Sequence, residues 1–334
     1  MNILITILTF CIVLFLYLHI FFHLKTSNDL EIYEVDKLSK DKLEEICDIR
    51  QPIVFDYNNE AMLLNCNVAN LLNNYEAFDL KIRNINDINS DNEIYVPLKF
   101  GSTVKLFEKD NEKIYYSENN SDFLEETGVI KHFKYNDSFL RPYMVTNCKY
   151  DMIIGTPDCT TPLRYDINYR NYFYVTSGSI TIKLTQPQSE RYLYPEKDYE
   201  NFEFRSPINA WNIQHEYKAD YDKIKFLEFT LNKGQILYIP AYWWYTIKFG
   251  ENAFISSLKY RTYMNNVAIL PEIIMSIFQQ HNLKHETVKK MEMNKTLERI
   301  DEDNKDDSTE KLVENTNLQN IIPNTPPGLD NNIL

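Results

Sequence analysis

From Tyr172 to Tyr260 the chain is divided into short runs of β-branched and aromatic residues: Tyr172 to Val175, Ser179 to Leu184, Ile224 to Leu231, Gln235 to Ile239, Tyr245 to Phe249 and Ala253 to Tyr260. Many short strands at near-regular spacing argue for a sandwich or barrel. Earlier runs read the same way: Pro52 to Phe55, Ile94 to Leu98, Thr103 to Leu106 and Lys113 to Tyr116. Asn65 to Tyr75 is predicted as a helix between them, and LSKDKLEEI (residues 38–46) as one short amphipathic helix. From Val267 to about Lys290 the period becomes helical, with Ile269, Ile273, Ile274, Ile277 and Phe278 on one face. The expected fold is mainly β with flanking helices.

The N-terminus is of another kind. Ile3 to Leu24 contains no acidic residue, Lys or Arg. A helix of that length spans roughly 33 Å, enough for a ~30 Å hydrocarbon core. A cleaved signal peptide would carry a basic start, a shorter apolar core and a small-residue cleavage site, and none is present. The run is therefore expected to be a single transmembrane anchor. Lys25, Lys37, Lys40 and Lys42 follow it and none precedes it, which favours a cytosolic C-terminal domain. Sequons at Asn119, Asn136 and Asn294 point the other way.

The organisation predicted is an anchor over 1–24, a stalk with a short helix over 25–47, a β domain over 48–265, helices over 266–290, and an acidic, Asn/Pro-rich disordered tail over 291–334. The net charge of −13 disfavours a nucleic-acid partner, since such affinity rests on neutralising phosphates. No GxGxxG or GxxxxGK[ST] loop occurs, and none of the five cysteines forms a CxxC pair.

Two segments carry the chemistry. The first is MIIGTPDCTTPLRYDINYRNYFYVTSGSITIKLTQP, Met152 to Pro187; the second is LNKGQILYIPAYWWYTIKFGENAFISSLKY, Leu231 to Tyr260. Together they resemble the cupin-like JmjC oxygenases, and most closely the asparaginyl-hydroxylase branch, whose corresponding segments run TPLHYD…N…G…K…P and GDxLYIPxxWWH. The resemblance extends from about Asp48 to Arg261 and includes Arg50 to Val54 and Arg205 to Pro207. It implies a double-stranded β-helix, or jelly roll, that holds Fe(II) through a His-x-Asp…His triad and leaves positions open for 2-oxoglutarate and O2.

In this chain the first His position is Arg164, the carboxylate is retained as Asp166, the distal His position is Tyr245, and the co-substrate lysine position is Ile180. A guanidinium has no lone pair for a metal. A neutral phenol is a poor Fe(II) ligand, and Ile180 offers no charge to a dicarboxylate. These four positions therefore read as a degenerate site with no catalytic residue, no metal and no cofactor. Arg164, two residues from Asp166 on a strand, is expected to fill the vacant cation position and pair with that carboxylate. His281 and His285 stand four residues apart, but outside the barrel mouth, where a surface pair is the plainer reading.

Core packing is the plainer reading of the aromatics Tyr172, Tyr174, Tyr242, Trp243 and Trp244, above all for Tyr174 and Trp244. A retained pocket would draw on Asn171, Tyr172, Tyr174, Trp243 and Ser257. The functional expectation is a membrane-anchored, catalytically inactive JmjC/cupin-like protein with a binding or scaffold role. Its partners would be the membrane, a protein or peptide, and a second copy through 267–290. One alternative is an Fe(II)/2-oxoglutarate-dependent protein hydroxylase with atypical ligands. Another, suggested by the Asn/Ile/Lys/Tyr-rich composition, is a structural membrane protein of a large DNA virus.

Overall fold

Alternation along the strands decides which side chains meet inside. In the computed structural model, which describes residues 2–35, 38–86 and 94–284, the described strands form two sheets. The larger runs in spatial order Tyr33–Val35 (β1), Ile53–Asp56 (β2), Gln235–Ile239 (β13), Arg170–Ser177 (β8), Phe254–Thr262 (β15), Val145–Gly155 (β6), Tyr115–Ser117 (β5), Asp79–Asn84 (β3) and Val96–Lys99 (β4). The smaller runs Glu196–Asp198 (β10), Glu203–Arg205 (β11), Arg164–Tyr165 (β7), Trp244–Phe249 (β14), Ser179–Thr185 (β9) and Leu227–Asn232 (β12). Apart from the parallel β1–β2 pair, the pairings are antiparallel. This is the mainly β, jelly-roll-compatible architecture the sequence predicts.

β8 is buried along nearly its whole length because both of its faces are covered. Phe173 and Val175 face the jelly-roll interior, with Val54, Ile153, Ile182, Leu237, Tyr245, Ile247, Phe249 and Ile255. Tyr172 and Tyr174 face the opposite way, into a second core that also holds Leu43, Met62, Leu71, Phe123 and Phe133. Those residues come from helices Lys40–Cys47 (α2), Glu60–Asn65 (α3), Val68–Tyr75 (α4), Ser121–Glu126 (α6) and Ile130–Asn136 (α7). The smaller sheet turns Trp244, Tyr165 and Phe204 outward into a third cluster. β8 turns into β9 at Gly178, whose φ of +65° suits glycine and where a Cβ would lie 2.4 Å from the Glu251 carbonyl oxygen.

Two local expectations change. Thr103 to Leu106, predicted as a strand, lies inside helix Phe100–Lys109 (α5), because Phe100, Thr103, Val104 and Phe107 recur at helical rather than alternating spacing. The 25–47 segment, predicted as a stalk, is part of the fold. Within it β1 pairs with β2, Leu43 and Cys47 are fully buried, and Gln51 donates to Ser27 and Asp29. The predicted 65–75 helix is α4, which starts at Val68 because the Asn67 side chain caps it on the Asn70 amide; α3 ends at Asn65.

Helix Asn2–Leu24 (α1) contains a 22-residue stretch, Ile3–Leu24, long and apolar enough to cross a membrane. Its apolar side chains are exposed, and only its last turns touch the domain. There His23 is buried against Thr262 and the Tyr169 ring, and the Arg50 guanidinium lies 5.0 Å from the centre of the Phe22 ring. The short helix Lys218–Tyr221 (α8) precedes β12. After β15 come Tyr263–Ala268 (α9) and Leu270–Lys284 (α10).

The chain divides into two units, 1–280 and 281–334. Only 281–284 of the second are described, so the predicted disordered tail over 291–334, the end of the predicted helix at Lys290, and His285 lie outside the described residues.

Candidate functional site

The turn after β13 aims the site. Pro240 is followed by Tyr242 at φ 68°, and the Tyr242 amide donates to the Asp166 carbonyl at 2.8 Å. This pins the start of β14 to the end of β7, with Tyr245 directly opposite Arg164 in register. Side chains then alternate. Trp244 goes outward, while Tyr245 goes inward against Phe173, with ring centres 5.2 Å apart.

Three of the four predicted degenerate positions meet there, with a different pairing from the one expected. The Tyr245 hydroxyl donates to Asp166 Oδ2 at 2.8 Å. Lys259, from β15, places its ammonium 2.9 Å from Asp166 Oδ1 and 2.7 Å from Oδ2. Burial pushes the Asp166 carboxyl up, but Lys259, then Arg164 and the Tyr245 hydroxyl, outweigh it and hold the group below the usual carboxylate range. Burial, with the Asp166 charge added, drives the Tyr245 phenol well above its ordinary pKa, so it is a neutral donor.

Arg164 does not pair with Asp166. Its guanidinium forks onto Glu118, Nη1 to Oε1 at 2.9 Å and Nη2 to Oε2 at 2.5 Å. Glu118 Oε1 also accepts from Arg83 at 3.1 Å, Tyr95 at 3.0 Å and Tyr116 at 3.2 Å. The same Arg83 nitrogen, Nη1, also donates to both oxygens of Glu203, at 3.0 Å each. Burial alone would raise the Glu118 carboxyl; Arg164 and Arg83 bring it far below its ordinary value. A bidentate, charge-assisted pair is stronger than a single lateral contact, which explains why Arg164 turns to Glu118.

The fourth position, Ile180, is fully buried in the jelly-roll core on β9, where it faces Phe249 and Leu231 across neighbouring strands. The predicted pocket residues also lie in the interior. Tyr172 and Tyr174 point into the helix-covered core, where the Tyr174 hydroxyl donates to the Tyr57 carbonyl at 2.7 Å. Asn171 is buried and donates to the Ile239 carbonyl at 3.1 Å. Trp243 belongs to the jelly-roll core, and Ser257 is buried beside Phe173.

The cavity next to Asp166 has other walls. An outer chamber of about 340 Å³ is lined by Asn147, Lys149, Asn168, Phe202, Lys259 and Arg261, and by Ile273 and Ile277 of α10. A narrow inner chamber of about 70 Å³ continues to Glu118, Asp151 and Arg164. Lys259 and Arg261 had a signal in the sequence. The sequence places Ser257 among the candidate pocket residues, and period-two alternation puts residues 259 and 261 on its face. Glu118 had none, because an irregular segment carries it to a partner 46 positions away.

Among the described residues, no group of three His, Cys, Asp or Glu side chains is placed to hold a metal ion. Asp166, the one retained family ligand, already spends both oxygens on Lys259, so the residues present do not fit an iron centre.

Jelly roll and Pro-aromatic turn define a cupin-type protein. The cupin-like domain family matches residues 64–265, more than half of the chain, and the chain belongs to that family. JmjC domain-containing protein D of Dictyostelium discoideum is 26% identical over 238 residues, covering 60% of this chain and 52% of that protein. HSPB1-associated protein 1 of Rattus norvegicus is 28% identical over 96 residues, covering 28% of this chain and 20% of that protein. The chain thus spans about half the length, or less, of these curated relatives.

Proposed function

We propose that this cupin-like protein is a membrane-anchored binding or scaffold protein that performs no iron- and 2-oxoglutarate-dependent oxidation. One observation carries the reading: the Lys259 ammonium sits on both oxygens of Asp166, at 2.7 and 2.9 Å. A fixed side-chain cation thereby takes the role that a divalent metal plays in the related oxygenases. Arg164 and Tyr245 supply donors where metal lone pairs would be needed, and Ile180 supplies no counter-charge for a dicarboxylate. The fold survives because alternation of apolar residues, not metal ligation, sets its core.

Anchoring is supported by the exposure of α1. A soluble domain rarely leaves a 22-residue apolar helix uncovered, so a bilayer is the natural cover. A cytosolic domain is supported by the lysines after the span. It also accords with the engagement of two sequon amides: Asn119 Nδ2 donates to the Tyr95 hydroxyl at 2.8 Å, and Asn136 Nδ2 donates to the His132 carbonyl at 2.7 Å. A second copy would be held through 267–290, where Val267, Leu270, Ile274 and Phe278 are exposed on the described helices.

Metal content and succinate release, measured on the full chain in detergent with Fe(II) and 2-oxoglutarate, test the reading. Absence of both is expected. Sedimentation with membranes after alkaline extraction tests the anchor.

A further inference from the structure

We propose that the outer chamber binds a small organic acid whose carboxylate rests on Lys149 and Arg261 and whose apolar body rests on Phe202, Ile273 and Ile277. The inference deepens the binding-protein reading and rests on it.

The first observation is one of register. Lys149 on β6 stands directly opposite Lys259 on β15, and Asn147 stands opposite Arg261. Like charges directly opposed across a sheet are unfavourable, so this arrangement works against the fold unless something offsets it. Asp166 offsets Lys259 alone. Among the described residues neither Lys149 nor Arg261 makes an ion pair. Lys149 Nζ donates to the neutral Asn119 Oδ1 at 2.8 Å, and Arg261 Nε donates to the neutral Asn168 Oδ1 at 2.6 Å. The chamber wall therefore carries three cations, Lys149, Lys259 and Arg261, against one carboxylate, Asp166.

The second observation is the apolar part of the lining. Phe202 adopts φ 54°, in the left-handed region that bulky side chains avoid, and there its ring lies 4.9 Å from the Arg261 guanidinium carbon. Strain of this kind persists where the surroundings dictate the conformation, commonly at ligand clamps. Ile273 and Ile277 of α10 add to that apolar lining. A volume of about 340 Å³ accommodates a small molecule. This site lies on β6 and β15, not at the Ile180 position of β9, and its mixed lining suits an acid with an apolar tail over a compact dianion.

The test uses the full chain in detergent with EDTA present, and calorimetric titration with sodium hexanoate, sodium acetate and inorganic phosphate at constant ionic strength. Saturable hexanoate binding is expected, at least about tenfold tighter than acetate or phosphate, since each buried methylene contributes on the order of 0.8 kcal/mol. Lys149→Gln and Arg261→Gln should each weaken it by roughly tenfold, the scale of one charge-assisted hydrogen bond. Lys149→Gln should also raise the unfolding temperature of the ligand-free protein, because it relieves the opposed pair. A folded variant that gains stability and loses binding is the signature of a ligand site. The proposal is overturned if hexanoate binds no better than acetate, if phosphate binds tighter, or if both variants keep wild-type affinity. Binding that appears only after Fe(II) replaces EDTA would instead overturn the metal-free reading.

Discussion

Lys259 and Asp166 form a two-pronged charge pair at the jelly-roll mouth, with the ammonium bridging both carboxylate oxygens at 2.7 and 2.9 Å. Because the lysine comes from β15 and the aspartate follows β7, the pair ties the larger sheet to the smaller one. It also sets what restoring a metal would require. Arg164→His with Tyr245→His returns two imidazoles but leaves Asp166 engaged. That double variant is expected to stay metal-free by elemental analysis, and iron uptake is expected only when Lys259→Ala is added. Stoichiometric iron in the double variant would show that Lys259 does not hold the site closed.

Glu118 is the hub of the inner chamber, accepting from Arg83, Arg164, Tyr95 and Tyr116. Its removal takes from the buried Arg164 guanidinium the carboxylate it is hydrogen-bonded to and leaves Arg83 with Glu203 alone. Breaking a buried pair in this way costs roughly 3 kcal/mol or more. Glu118→Gln is therefore expected to lower the urea midpoint sharply. Tyr245→Phe, which deletes one hydrogen bond to Asp166, is expected to cost about 1 kcal/mol. Equal effects from the two substitutions would contradict the ranking.

Acid should weaken the Lys259–Asp166 pair. The folded-state pKa of Asp166 lies below its ordinary value, as does that of Glu118. A depressed carboxylate contributes stability above its unfolded pKa, about 4, and loses it as the pH falls through the lower folded value. Asp151, which burial pushes up, acts in the opposite direction. Comparing wild type with Lys259→Met isolates Asp166, since Asp151 is common to both. The difference in unfolding free energy is expected to be largest near neutrality and to shrink below about pH 4. A difference that does not change with pH would contradict the pairing.

The exposed apolar stripe of α10 predicts self-association. Leu270 is 48% exposed, Ile274 39% and Phe278 60%, at helical spacing along one side. Ile274→Glu should convert a dimer into a monomer by light scattering in detergent, with the helix content unchanged. A wild-type chain that is monomeric at all concentrations would remove the dimer from the account.

The sequence was informative wherever a short-range pattern carried the information. β13, read as Gln235 to Ile239, has those bounds, and alternation through Ile255, Ser257, Lys259 and Arg261 already implied which β15 residues face inward. The meeting of Asp166 with Tyr245 was legible because the Pro-aromatic turn brings them together. What stayed hidden depended on competition between distant partners. Arg164 had a carboxylate two residues away, yet it pairs with Glu118, which offers a bidentate acceptor already clamped by Arg83. The sequence leaves Tyr172 open between core packing and a retained pocket. Its place in the alternation of β8 sends it to the helix-covered core. The 25–47 segment looked detached because its charged residues conceal Leu43 and Cys47, two inward anchors that only packing reveals.

The measurement that bears most directly on the central claim is iron content together with succinate release, from the full-length protein purified anaerobically and incubated with Fe(II) and 2-oxoglutarate. With Lys259 seated on Asp166, substoichiometric iron and no succinate above a protein-free control are predicted. One iron per chain with sustained succinate release would contradict the account.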